Sequence, residues 1–345
     1  MVHPARALLS ARNRMSSTSR PHYRSRAAKP TLALLACLLL AGATVACGSH
    51  SHRAVIPSGE DTDVHVSALS TADDAPLYIA QQRGLFTAQG LHVTIDTVSQ
   101  SNLAIPELNQ GKADIQAGGN LGTYFQAADR GQIDLRVVAE AGLAATNQTG
   151  VVVPPDSPID TPAKLANATV AINNPAPNIQ SVTLDRVLRS MNIDPSGTRY
   201  IGMPFEDALT KLHNHQIDAA WFPEPFVTLA EQQGARTVLS PCSGPTANFP
   251  LDGYYATASY TKHNPHTVAA FRRAIQQAAG LASSRELVVD TLTNYVKIPR
   301  SIASLITLPN YPTTLQPRRL QRLLDLMYRE HAIYHRLEAA QLTAR

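Results

Sequence analysis

Five short polar stretches are the parts of this sequence best suited to chemistry. They combine Asn, Gln, Ser, Gly, Asp and Glu, which offer hydrogen-bond donors and acceptors with little bulk. In chain order they read STADDAP, TVSQSN, GGN, INNPAPN and FPEP, and each follows an apolar run. Any one of them is explained as ordinary turn chemistry. Several together at the carboxyl edges of parallel strands predict a cleft that binds a small molecule.

Motifs for catalysis or metal binding are weak by comparison. The stretch Ser259–Lys262, SYTK, fits one motif of penicillin-binding proteins, but the partner motifs S-D-N and K-T-G are absent. The glycines of GGNLG have neither the dinucleotide-binding spacing nor a phosphate-loop lysine. His331 and His335 could share a helical face, yet a solvated charged helix explains them better. We therefore expect no enzyme activity, no catalytic residue, no cofactor and no metal.

The elements that would position the polar stretches alternate between short β-rich runs and longer helical patterns. VHVSAL, LHVTIDTV, ADIQAG and LRVVAEA read as strands of a first unit, and ATVAIN, TRYIG and IDAAWF as strands of a second. This rhythm predicts an α/β fold of two lobes, each a doubly wound, mostly parallel sheet. The chain crosses to lobe 2 near residue 153 and returns near 250. Lobe 1 then comprises 63–152 and 251–345, and lobe 2 comprises 153–250.

A faint internal repeat supports two similar lobes. Leu108 precedes Asp114 by six residues in LNQGKADI, and Leu212 precedes Asp218 by six in LHNHQIDA. In each case a helix pattern ends, the chain turns, and an aspartate opens a buried strand. Coincidence remains the alternative explanation at this stage.

The first 46 residues are typical of a secretory signal. They contain seven basic residues and no acid, followed by the apolar run TLALLACLLLAGATVA. That run is shorter than the ~20 apolar residues of a spanning helix. It ends at Cys47, which resembles the acylated cysteine of a bacterial lipobox, although Thr44 departs from the usual pattern. Residues 47–62 read as a flexible tether, and Met1 or Met15 is the true start.

Charge and cysteine content exclude two further classes. Without the seven basic residues of the signal, the formal net charge of +4 becomes −3, so nothing indicates nucleic-acid binding. Cys37 lies in the signal and Cys47 would carry palmitate or a similar lipid. Cys242 is then left without a partner, and no disulfide framework is expected.

The order of motifs carries a family resemblance. APLYIAQQRGLFTAQGLHVTI, LNQGKADIQAGG, PIDTPAKLANATVAI and IDAAWFPEPF together resemble ABC-transporter substrate-binding proteins of the nitrate, sulfonate, taurine and pyrimidine-precursor class. The resemblance spans about residues 64–327. It implies a type II periplasmic-binding-protein fold with two hinge crossings, a cleft that closes on a solute, and an ABC permease as partner. It also implies a monomer held by its lipid anchor on the extracytoplasmic face of the cell membrane.

The resemblance also assigns cleft contacts, residue by residue. They are Asp73, Asp74 and Tyr78; Gln100, Ser101 and Asn102; Gly119 and Asn120; Asn174; and Trp221, Glu224 and Asp252. For each of them the alternative is a helix cap, a turn or a core residue. Since these loops contain acids but neither lysine nor arginine, we expect a neutral or amine-bearing organic solute, with Tyr78 or Trp221 stacking on it.

Two other functions remain open. Some relatives of this fold are enzymes of pyrimidine-precursor or menaquinone synthesis, but the cysteine-rich patch of the fungal pyrimidine synthases is missing here. The same fold also serves as a ligand sensor that acts through a membrane partner.

Overall fold

The computed structural model describes residues 56–344; the predicted signal, Cys47 and most of the predicted tether lie outside this range. Ten strands occur within it: β1 Asp63–Ala68, β2 His92–Thr97, β3 Ile115–Asn120, β4 Leu135–Leu143, β5 Thr149–Val153, β6 Thr169–Ile172, β7 Arg199–Gly202, β8 Ala219–Pro223, β9 Arg236–Leu239 and β10 Pro250–Thr257.

The helices alternate with these strands and then dominate the last third of the described chain. They are α1 Ala75–Gln82, α2 Leu85–Ala88, α3 Ala104–Gln110, α4 Leu121–Asp129, α5 Ile179–Ser190, α6 Phe205–His213, α7 Phe226–Gln232, α8 Ala258–His263, α9 Pro265–Leu281, α10 Arg285–Tyr295, α11 Arg300–Ala303, α12 Pro317–Arg329 and α13 Ala339–Leu342. None of these helices has the length and apolar character needed to cross a membrane.

The strands form two five-stranded sheets of the same design. Lobe 1 is built on the order β2-β1-β3-β10-β4, and lobe 2 on β7-β6-β8-β5-β9. In each sheet a parallel trio is followed by one antiparallel strand, β10 or β5. Val64 and Val66 of β1 are buried and alternate with exposed neighbours, the period-two pattern of a strand. The predicted α/β fold class is confirmed.

The internal repeat is confirmed by two equivalent hydrogen bonds. Asp114, just before β3, accepts a bond from the backbone N–H of His65 in β1, with 2.8 Å between N and Oδ2. Asp218, just before β8, accepts one from Thr169 in β6 at 2.7 Å. Each aspartate thus ties the start of one strand to its parallel neighbour, at the same place in both sheets.

The lobes are joined by two chain crossings and by helix α12. The chain leaves lobe 1 between β4 and β5 and returns between β9 and β10. The first crossing thus comes a few residues before the predicted position near 153, because β5 pairs within the second sheet. Helix α12 packs against α4 of lobe 1 and α5 of lobe 2. Its buried residues Leu323 and Met327 share one apolar core with residues of both lobes. Arg319 of α12 also pairs with the buried Glu140 of β4.

Candidate functional site

A cavity lies between the lobes, at the edge where the carboxyl ends of both parallel trios meet. Its free volume is about 20 Å³, little more than one water molecule needs. Lobe 1 and lobe 2 contribute equally to its walls. The lining residues are Leu69, Thr71, Gly118, Asn120, Asn173, Ile179, Gln180, Phe205, Trp221, Pro223, Leu251 and Asp252.

Of the sequence-predicted contacts, Asn120, Trp221 and Asp252 line this cavity. Asp252 lies at the start of β10, opposite Asn120 of β3. Its carboxylate accepts no hydrogen bond from the residues that the structure describes. Burial raises its pKa well above the ordinary range, and the negative charges of Asp73 and Asp74 raise it further.

Trp221 is both cavity wall and core. Its side chain is only 3% exposed and belongs to the apolar core shared by the two lobes. The indole nitrogen Nε1 is buried and has no hydrogen-bond partner within the described part of the chain. Buried donors are nearly always paired in native proteins, so this one calls for an acceptor in the cavity.

Asp73 and Asp74 do not line the cavity. They lie in a 3-10 turn after β1, and Asp74 is in contact with the lining residue Thr71. Asp73 Oδ2 accepts a bond from Gln148 Nε2 at 3.2 Å, and Asp74 Oδ2 accepts one from the hydroxyl of Thr71 at 3.2 Å. The Oδ1 atom of each is buried without a partner in residues 56–344. Burial raises the pKa of Asp73 to about 7 and that of Asp74 well above its ordinary range.

Two glycines allow these carboxylates to pack against the strands. A Cβ atom on Gly118 of β3 would lie 2.2 Å from Asp74 Oδ1, and one on Gly142 of β4 would lie 1.8 Å from Asp73 Oδ1. Both distances are far below any real contact. Both positions therefore require glycine, because the aspartate carboxylates lie against the backbone of β3 and β4.

Gln100, Ser101, Asn102 and Asn174 meet one another across the lobe boundary. Asn174 Oδ1 accepts a bond from the Asn102 N–H at 3.1 Å, and its Nδ2 donates to Ser101 Oγ at 3.0 Å. Gln100 Nε2 donates to the carbonyl oxygen of Asn173. These four residues do not line the cavity; in this conformation they hold the lobes together.

Asn120 combines both roles. Its Oδ1 caps α4 by accepting a bond from Thr123 N at 3.0 Å, and it accepts a second bond across the lobes from Ile179 N at 3.4 Å. Since it also lines the cavity, it connects the interlobe contacts to the space between them.

Glu224 is committed to the protein itself. Its Oε2 accepts from Thr228 N at 3.0 Å, and its Oε1 accepts from the Thr228 hydroxyl at 2.8 Å and from Thr307 N at 3.0 Å. Its carbonyl oxygen accepts from Ala72 N at 2.9 Å, and its peptide bond to Pro225 is cis. Burial raises its pKa. Glu224 thus caps α7 and ties lobe 2 to two segments of lobe 1.

Tyr78 and Gly119 also lie away from the cavity lining. Tyr78 stacks on Tyr295, with 3.8 Å between ring centroids and 8° between planes. The carbonyl oxygen of Gly119 accepts a bond from the hydroxyl of Tyr255 at 2.7 Å.

The histidines are separated by the end of a helix. Helix α12 stops at Arg329, and His331 has a positive φ of 55°, so His331 and His335 do not share a helical face. The His335 Nδ1 atom lies 3.0 Å from Asp129 Oδ1. Within residues 56–344, no group of three or more His, Cys, Asp or Glu side chains is arranged to hold a metal.

Several lining residues were not anticipated from sequence. Asn173 adjoins the predicted Asn174 in the same polar stretch, and that stretch was the only available signal for it. Leu69, Ile179, Phe205 and Leu251 read as core residues, because an apolar cavity wall and a core have the same hydrophobic pattern. Gly118, Thr71, Gln180 and Pro223 complete this unanticipated set.

A match to a family model establishes which protein family the chain belongs to. The model described as "NMT1/THI5 like" matches residues 71–285, which include every described strand except β1 and every cavity-lining residue except Leu69. The chain belongs to this NMT1/THI5-like family. The resemblance inferred from the motifs is thereby confirmed at the level of family and fold. No curated protein matches the sequence significantly.

Solved structures share the NMT1/THI5-like fold at low identity. The alkanesulfonate-binding protein SsuA of Xanthomonas axonopodis pv. citri, bound to MOPS, has a TM-score of 0.69 and 18% identity over 82% of this chain and 98% of its own. The ligand-binding component of an ABC-type import system from Staphylococcus aureus, with zinc bound, has 0.71 and 14% over 82% and 96%. The nitrate-binding protein NrtA of Synechocystis PCC 6803 has 0.66 and 16% over 81% and 84%.

Proposed function

We propose that this chain is the extracytoplasmic solute-binding receptor of an ABC importer. The observation that carries the proposal is the interlobe cavity, whose walls come from both lobes at the carboxyl edges of their sheets. Since the free volume in this conformation suits about one water molecule, the walls must separate to admit a solute. A solute that then touches both walls binds a closed arrangement better than an open one and shifts the population toward it. The closed form then presents both lobes together to the permease.

The composition of the cavity supports binding rather than turnover. Asp252 is the one titratable side chain among the twelve described residues that line it. An enzyme of this fold would need an acid–base pair or a nucleophile with its base at the same place. The neighbours SsuA and NrtA, whose fold this chain shares, are an alkanesulfonate-binding and a nitrate-binding protein, which supports the receptor role.

A thermal-shift screen of the purified protein tests the receptor role. The panel holds sulfonates, nitrate, taurine, pyrimidines, flavins and amines. Binding to the native state alone raises the melting temperature by mass action, and at about 100 times Kd the stabilisation is about 2.7 kcal/mol. We expect one chemical class to raise it in a saturable manner. If every class leaves the melting temperature unchanged, the receptor role is wrong.

We further propose that the receptor is anchored by a lipid on Cys47. The support is the basic head, the apolar run and the cysteine in sequence. Cells grown with a radioactive fatty acid should label the protein, and Cys47→Ser should remove the label. Equal labelling of both proteins contradicts the anchor.

A further inference from the structure

The cavity offers a carboxylate and no basic group. Asp252 lines it, and no lysine, arginine or histidine is among the twelve described lining residues. Its carboxylate has no hydrogen-bond donor in the described chain, and the Asp252 residue is partly exposed rather than buried. Asp73 and Asp74 add two more carboxylates directly behind the wall, each with one unpartnered oxygen. The site is therefore rich in carboxyl groups, and a bound cation would stabilise their ionised forms.

A second, independent observation points to a ligand. The Trp221 N–H is unpartnered, its side chain is 97% buried, and it lines the same cavity. Trp221 and Phe205 also place two aromatic rings on the cavity wall. Aromatic faces attract cations, most strongly in a dry site, while the indole N–H requires an acceptor.

Two of the three amide side chains that line the cavity, those of Gln180 and Asn173, are already engaged with the protein. Gln180 Oε1 accepts from Asn173 N at 2.8 Å, and its Nε2 donates to the Trp221 carbonyl oxygen at 3.1 Å. Asn173 Nδ2 donates to the Ser99 carbonyl oxygen at 3.1 Å. The Asp252 carboxylate, the Trp221 N–H and the Asn120 Nδ2 group are therefore the polar groups of the lining that are left to receive a solute.

Three helix N-termini near the cavity, those of α4, α5 and α7, are occupied by side chains, whereas α1 and α6 begin without a side-chain cap. Asn120 caps α4 and the first N–H of α5, and Asn178 Oδ1 accepts from Gln180 N at 2.8 Å and Ser181 N at 3.4 Å. The Glu224 side chain caps α7 by accepting a bond from Thr228 N at 3.0 Å. Free N–H groups at helix N-termini are a standard means of holding anions. Here side-chain oxygens take that place in all three helices.

We infer that the cavity selects a small organic cation, a solute with an ammonium or amidinium group that pairs with Asp252 and an acceptor atom that receives the Trp221 N–H. This inference rests on the proposed receptor function and specifies its substrate class. The cation supplies the donor that Asp252 lacks and lowers the negative charge around Asp73 and Asp74. A sulfonate or nitrate would add a negative charge to the same space.

A series with one skeleton and three head-group charges tests the inference. The probes are 2-hydroxyethylammonium, ethane-1,2-diol and 2-hydroxyethanesulfonate, which keep the hydroxyethyl acceptor and change the head group from cationic to neutral to anionic. 3-Hydroxypropylammonium and propane-1,3-diol form a second, longer matched pair. Trp221 is the only tryptophan of the chain, so its fluorescence reports binding directly at the site. We expect each cation to bind at least about tenfold more tightly than its neutral counterpart.

Two matched variants test whether Asp252 is the group that binds the cation. Asp252→Asn keeps the shape and removes the charge, and should reduce cation affinity at least about tenfold. Asp325→Asn, at an exposed site on α12, makes the same chemical change far from the cavity and should leave the affinity unchanged. Circular dichroism verifies that both variants fold, and the comparison of probes on the unmodified protein needs no variant.

The other results separate this inference from the receptor role. Tighter binding of the sulfonate, or cation binding that survives Asp252→Asn, overturns the inference and leaves the receptor role standing. If neither cation binds while the broader screen finds another solute, the inference alone is again overturned. If no solute of any class binds, the receptor role fails as well.

Discussion

Asp73 is a carboxylate whose burial makes folding dependent on pH. Its pKa is about 7 in the folded protein, against an ordinary value of 3.8, because burial and the charge of Glu224 disfavour the ionised form. Between about pH 4 and pH 7 the folded state therefore binds more protons than the unfolded state, and stability falls as pH rises through this window. Burial raises the pKa values of Asp74, Asp252 and Glu224 in the same direction.

We expect Asp73→Asn to flatten this dependence, because the amide cannot ionise. The loss in the wild type across the window is about 4 kcal/mol at most, since one pKa unit corresponds to about 1.4 kcal/mol. Melting temperatures measured between these pH values provide the test, with Asp325→Asn as the exposed control. An equal slope in wild type and Asp73→Asn would falsify the role of Asp73.

The substitution Gly118→Ala tests how closely Asp74 packs against β3. Gly118→Ala brings a Cβ within 2.2 Å of Asp74 Oδ1, at a φ of 65°. Gly111→Ala is the matched control, because its φ is 66° and nothing lies within 4 Å of the added Cβ. The control should lose about 1–2 kcal/mol from backbone strain alone. Gly118→Ala should lose about 1–3 kcal/mol more from overpacking, and equal losses in urea unfolding would refute the packing argument.

At the residue scale, sequence could predict which loops meet but not which atoms face the cavity. STADDAP indeed lies at the edge of the sheet, yet Asp73 and Asp74 point behind the strands because Gly118 and Gly142 leave room there. That direction depends on strands that are distant in sequence. Local patterns contain no information about it.

At the scale of secondary-structure elements, polar loops from the two lobes form hydrogen bonds with each other at the lobe boundary. The loops after β2 and β6 contribute Gln100, Ser101, Asn102 and Asn174 to the lobe boundary. Their residue types are equally suited to a solute or to an opposite loop. Sequence therefore predicted their location and their hydrogen-bonding character, whereas the partner depends on how the lobes meet.

Asn174→Ala should open the lobes measurably. The substitution removes the interlobe bonds to Asn102 N and Ser101 Oγ, each worth about 1 kcal/mol net. Small-angle scattering should show a larger radius of gyration for the variant than for the wild type. Asn109→Ala is the control, because Asn109 Nδ2 bonds Gln132 within lobe 1. An unchanged radius in both variants would show that these bonds do not determine closure.

On the scale of the whole molecule, the α/β alternation and the six-residue repeat were sufficient to predict two similar lobes. The place of α12 was not predictable in the same way. Its amphipathic pattern indicates a buried face, but a face of Leu323, Leu324 and Met327 does not specify which surface covers it. The structure places that face against both lobes at once. A helix assigned by sequence to lobe 1 thus contributes to the core of lobe 2.

This shared core predicts that the two lobes unfold together. Leu323→Ala removes a fully buried side chain from it and should cost about 2–5 kcal/mol. Because one core supports both lobes, calorimetry should show one transition at a lower temperature, with van't Hoff and calorimetric enthalpies equal. Leu281→Ala, at a site 40% exposed on α9, should change stability by less than about 0.5 kcal/mol. Two separate transitions in Leu323→Ala would mean that each lobe has an independent core, with α12 merely resting on both.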